Sequence, residues 1–121
     1  DWERARALVR SDLQVLWWSS SESFDGPAGF IEVQARYPEG WTIQLVEVSP
    51  LQDGRVVSVV RVDHPPQRFF ATSFFHLEDG LVFAIDEYWA TVEAPPAWRA
   101  DAALPGWQRV RPEDDPRAHT P

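Results

Sequence analysis

Asp86 and Glu87 stand side by side in FAIDEYWATVE, residues 83–93, inside an apolar run and just ahead of Tyr88 and Trp89. A carboxylate taken out of water is costly unless it is hydrogen-bonded, ion-paired or protonated. An interior acid here is therefore either fastened to a structural partner or kept to move a proton or hold a polar ligand group. Alternation along a strand sends the two acids to opposite faces, so one faces inward. His64, ahead of Pro65 and Pro66, has two readings: an acid–base group, or the ordinary solvated histidine of a turn. The three histidines have no metal-ligand spacing and the chain has no cysteine, so neither a metal nor a cofactor is expected. No G-x-S-x-G elbow surrounds a serine, and SSSES at 19–23 reads as a loop.

The elements that position these groups follow from periodicity. Trp2, Ala5, Leu8 and Val9 have helical spacing, which predicts a short helix ending near Arg10. QVLWW, 14–18, reads as a strand. Asp25 or Gly26 can cap a second helix with Pro27 in its first turn, and Phe30, Val33 and Tyr37 share one face of it. Pro38 and Gly40 stop that helix. From Trp41 to Glu93 four strands alternate, joined by turns at QDG, HPPQ and EDG, which predicts an antiparallel meander. Helices followed by a meander give an α+β class with the helices on one face of a curved sheet.

The 121 residues allow one domain, predicted over 1–95. Residues 96–121 form a Pro-rich extension whose extreme end reads as a mobile tail, while Trp98 and Trp107 suggest packing on the body or a partner. The net charge is −8, and all 11 positive charges are arginines scattered along the chain. That distribution offers no basic patch for nucleic acid. No apolar run is long enough to span a membrane, and no basic-then-apolar leader is visible; a cytoplasmic address is expected. Neither face of the predicted sheet is consistently polar. One face is expected to cover a core or pocket, and the other to meet a second copy of the chain.

The element order resembles the nuclear transport factor 2-like superfamily, the cone-shaped α+β fold of SnoaL-like polyketide cyclases and ketosteroid isomerases. EDGLVFAIDEYWATVE is similar to that superfamily's closing hairpin, Tyr-Trp pair included. SDLQVLWW is similar to its first strand and DGPAGFIEVQARY to the helix after it, so the resemblance covers about residues 10 to 93. It implies one enclosed apolar pocket between the helices and the concave sheet face. It places Trp89 in that pocket, and alternation then brings in Glu87, Ile85 and Phe83, with Asp86 and Tyr88 on the convex face. Phe75, Ser73, Trp17 and Trp18 complete the expected ligand-binding set around Glu87.

His64, Ser73 and the indole N–H of Trp17 or Trp18 are the candidate partners of Glu87. Arg36 or Arg99 would instead make Glu87 half of a structural ion pair. The steroid isomerase catalytic set does not carry over: its base position falls at Trp17 or Trp18, its acid donor position at Ser73, and its tyrosine position before residue 1. Two functions remain. One is a homodimeric domain, paired through the convex face, that binds an apolar or aromatic small molecule and, if it is an enzyme, transfers protons at Glu87 with His64 as the second candidate catalytic group. The other is a non-catalytic association module whose interior is filled by its own side chains. A void of a few hundred Å³ would favour the first.

Overall fold

The alternating run after Trp41 folds as β3 (Thr42–Pro50), β4 (Val56–His64), β5 (Gln67–Glu78) and β6 (Leu81–Thr91), each antiparallel to the next. This computed structural model describes residues 2–121. Ahead of the meander come α1 (Trp2–Ala7), β1 (Val9–Trp17), β2 (Glu22–Asp25) and α2 (Pro27–Arg36). The six strands form one curved sheet in the order β2-β1-β6-β5-β4-β3. The expected antiparallel sheet is in fact mixed, because β1 runs parallel to β6. A parallel pair needs a long crossover, and α2 with the whole meander supplies it.

Two early elements differ from expectation. The first helix stops at Ala7, and Val9 and Arg10 already belong to β1, where Val9 lies opposite Val82. The serine-rich loop is a turn that leads into β2, whose residues ESFD carry no alternating apolar pattern. Pairing with β1 along Gln14–Trp17 makes that segment a strand.

Helix α2 begins at Gly26, whose φ of 82° lies in the left-handed region that glycine enters without steric cost. Pro27 occupies the first turn, where a missing N–H is harmless. At the other end Tyr37 is extended, at φ −58° and ψ 132°, as a residue before proline must be. The helix lies close to β1 and β2 and stands off β3 to β6. Beneath its packed side sits the core: Leu13, Val15 and Ile85 are 1%, 0% and 4% exposed, with Phe24, Phe30, Phe75 and Val82 against them. Under the stand-off the sheet is uncovered, and a cleft opens there.

The C-terminal extension adds a short α3 (Ala97–Ala100) and one 3-10 turn (Pro112–Asp114). Its expected mobile end is instead docked. Arg61 Nη1 donates to the Pro112 carbonyl at 2.7 Å, and Arg68 Nη1 to Glu113 Oε2 at 2.6 Å. His119 and Leu45 exchange two backbone hydrogen bonds of 2.7 and 3.0 Å, covering part of the β3 edge. Trp107 is half-buried, whereas Trp98 is 74% exposed and stacked only by Arg99. No described helix is long and apolar enough to cross a membrane.

Candidate functional site

The cleft between α2 and the concave face has a volume of about 480 Å³. It opens to solvent at one side rather than being enclosed as expected, because the ten-residue α2 covers only the β1 side of the sheet. Strand alternation supplies its floor: Val60 and Val62 from β4, Phe69 and Ala71 from β5, and Glu87, Trp89 and Thr91 from β6. Trp17 closes one end, Val33, Gln34 and Tyr37 of α2 form the roof, and Trp41 and Ile43 complete the other end.

Glu87 is the charged side chain in this wall. Its Oε2 accepts the Trp17 indole N–H at 2.7 Å and its Oε1 the Ser73 hydroxyl at 2.6 Å. The register explains both contacts, since Trp17 and Ser73 lie directly opposite Glu87 on the two neighbouring strands. Ser73 is 3% exposed and sits behind the carboxylate instead of lining the cleft. Neither proposed arginine reaches it: Arg36 pairs with Glu32 at 2.7 Å, and Arg99 lies over the Trp98 ring. Glu87 is thus held by two neutral donors and has lone pairs left over. Trp17 packs edge-to-face on Trp89 and Phe24, with ring centroids 4.7 and 4.8 Å apart, which fixes the indole that fixes the acid.

His64 stands outside the cleft, with both ring nitrogens engaged. Nε2 lies 3.1 Å from the Glu39 carbonyl oxygen and Nδ1 3.2 Å from the Tyr37 hydroxyl. A carbonyl only accepts, so Nε2 carries the proton there; a neutral His64 then receives the Tyr37 O–H at Nδ1. Its place is behind Tyr37, and it does not meet Glu87 through any hydrogen bond.

Four other expected lining residues lie elsewhere. Phe75 and Ile85 belong to the packed core beneath the cleft. Trp18 is one residue past the inward Trp17 and turns to the opposite face, where its indole donates to Asp86 Oδ1 at 2.8 Å. Phe83 departs because the β5–β6 ladder steps from His76–Ala84 to Leu77–Val82, leaving Phe83 as the extra residue of a bulge. Val82 takes the inward place, and Phe83 packs at 6.0 Å from His76 and under Arg10.

The convex face carries the second acid. Asp86 accepts from Trp18 and, at 2.9 Å, lies beside His76 Nε2. Burial pushes its carboxyl up, but the Trp18 and His76 hydrogen bonds together with the nearby positive charge hold it below the usual carboxylate value. Nearby, Phe74 meets Tyr88 edge-on at 6.2 Å, with Arg55 stacked over Phe74. Among the described residues no three histidines, aspartates or glutamates gather into a metal-binding group.

The residues not singled out individually, such as Val60, Val62, Gln67 and Thr91, follow from alternation once the inward face is known. Tyr37 was visible on the helix face with Phe30 and Val33. Trp41, one residue before β3, lines the cleft in phase with Ile43 of that strand.

No protein-family model matches the chain, and no curated protein matches it in sequence. Solved structures do. A candidate ketosteroid isomerase from Kribbella flavida is 26% identical, with 94% of this chain and 81% of that one aligned at a TM-score of 0.75. An NTF-2 like protein of unknown function from Burkholderia xenovorans aligns at 0.69 over 92% and 84% of the two chains, with 13% identity. A candidate SnoaL-like polyketide cyclase from Jannaschia sp. aligns at 0.61 over 73% and 71%, with 18% identity. With the strand order and the helix-roofed concave face described above, these likenesses identify the chain as a member of the nuclear transport factor 2-like superfamily.

Proposed function

We propose that this chain is a SnoaL-like, small-molecule-binding domain whose ligand sits in the cleft, with Glu87 as its principal polar contact. The carrying observation is the open volume of about 480 Å³, within the ~300–1,000 Å³ typical of ligand pockets. A module that served association alone would fill that space with its own side chains. Where the domain acts on its ligand, the chemistry is proton transfer: the Glu87 carboxylate accepts a proton while Trp17 and Ser73 keep it aimed. His64 acts through Tyr37, by holding its hydroxyl. The likeness to a candidate isomerase and a candidate cyclase supports this class of reaction. The steroid isomerase set does not carry over by counting, which puts its base position at Trp17 or Trp18 and its acid donor position at Ser73; Trp17 and Ser73 here donate to Glu87. A second copy of the chain is proposed to cover the convex face around Phe74 and Tyr88.

Native mass spectrometry with a panel of apolar small molecules tests the binding reading. Non-covalent adducts on the wild type that disappear in the cleft-filling variant Val60→Trp are expected. Adducts on neither protein, or equally on both, would remove the reading. With a turned-over ligand in hand, Glu87→Gln is expected to lower turnover about 10²- to 10⁴-fold, the usual contribution of one acid–base group. Unchanged turnover would exclude the proton-transfer role.

A further inference from the structure

The polar groups of the cleft are unevenly divided. Among the described residues of its lining Glu87 is the charged one, and none is an arginine. Each Glu87 oxygen accepts one hydrogen bond and keeps another lone pair. When His64 is neutral, Tyr37 spends its O–H on Nδ1, leaving its oxygen as a second acceptor. Around these acceptors stand the rings of Trp17, Tyr37, Trp41, Phe69 and Trp89.

An anionic ligand would bring a second negative charge toward Glu87 with no cation to meet it. A neutral apolar ligand would leave the carboxylate facing hydrocarbon. A cation gains on both counts: a charge-assisted contact with the carboxylate and attraction to the negative faces of aromatic rings. We infer that the cleft takes an apolar ligand with a cationic nitrogen head, a protonated amine or a quaternary ammonium, seated against Glu87 within the aromatic wall. This inference rests on the ligand-binding reading above and names the chemistry of the ligand's head.

Three probes with one hydrocarbon body separate the possibilities: phenylbutylamine, phenylbutanol and phenylbutyrate, titrated at neutral pH and physiological salt against tryptophan fluorescence. The amine is expected to bind about tenfold more tightly than the alcohol, the scale of a desolvated cation–π contact, and the carboxylate not measurably. In Glu87→Gln the amine should fall to the level of the alcohol. The −8 net charge attracts any cation at long range, but that part is screened by salt. An amine preference that vanishes when salt is raised therefore overturns the inference. So does equal binding of amine and alcohol, or a carboxylate that binds best, and in those cases the ligand-binding reading survives. If none of the three binds, both fall. The wild-type comparison decides the matter even if Glu87→Gln does not fold.

Discussion

At the scale of single residues, two adjacent acids have different lives because one step along a strand changes everything around a side chain. Glu87 faces the cleft with a neutral donor on each oxygen, while Asp86 faces outward between Trp18 and His76. The inward carboxylate depends on Ser73, a nearly buried hydroxyl whose hydrogen bond is made to Glu87. Ser73→Ala is expected to destabilise the fold by about 1–2 kcal/mol, since it removes one donor from a partly desolvated charge. Urea unfolding measures it, and an unchanged midpoint would mean that the Trp17 indole alone suffices. The same variant should leave the two hydrogen bonds of His64 untouched, because they belong to the far side of Tyr37.

At the scale of elements, the bulge at Phe83 and the docked C-terminal segment are the two places where simple alternation and composition mislead. A bulge needs only one extra residue on one strand, and nothing in LVFAIDEYW marks which residue is extra. The C-terminal segment is polar and Pro-rich, yet its charges find fixed partners. Glu113 is paired with Arg68 of β5 and with Arg111, and Asp115 with Arg117. The Arg117 side chain and backbone N–H beside Asp115 lower its carboxyl from the ordinary 3.8 to about 2. A carboxyl lowered on folding stabilises the folded state above its unfolded value, and that contribution is lost as pH falls toward and through the folded one. The local turn closed by Asp115 and Arg117 is thus expected to be intact above pH 3.8 and to loosen progressively as pH drops toward about 2. Asp63, lowered chiefly by its Arg61 hydrogen bond, shifts in the same direction. An NMR titration that follows the Arg117 amide, which donates to Asp115, would show this. Loss of that hydrogen bond already complete above pH 3.8 would exclude the Asp115 carboxyl as what holds the turn.

At the scale of the whole molecule, the two faces of the sheet have different fates. The helices and the cleft occupy the concave one. The convex one keeps Tyr88 46% exposed beside Phe74, while the C-terminal segment reaches Arg61 and Arg68. The proposed dimer would cover the remainder. Tyr88→Arg, which plants a charge in that patch, is expected to shift the protein from dimer to monomer in light scattering with little loss of thermal stability in the separated chain. A wild-type monomer would reject the dimer outright.

Period-two alternation from Trp41 to Glu93 and the Pro27 start and Pro38 stop of α2 were legible from residue order, and rest on local rules: strand geometry, proline sterics and turn chemistry. The inward placing of Glu87 and Trp89 came from the resemblance of the closing hairpin, since alternation alone says only that Asp86 and Glu87 face opposite ways. Trp17 and Ser73 could be named as partners of Glu87, but not chosen over Trp18, His64, Arg36 or Arg99. That choice belongs to cross-strand register, which joins residues 14 and 70 positions apart. Register also turned Phe83 outward and placed β2 beside β1. The cleft itself was a tertiary decision. A helix of ten residues packed at one side of a six-stranded sheet leaves concave surface it cannot cover, and the size of that remainder depends on where two surfaces meet, not on the order of residues in either.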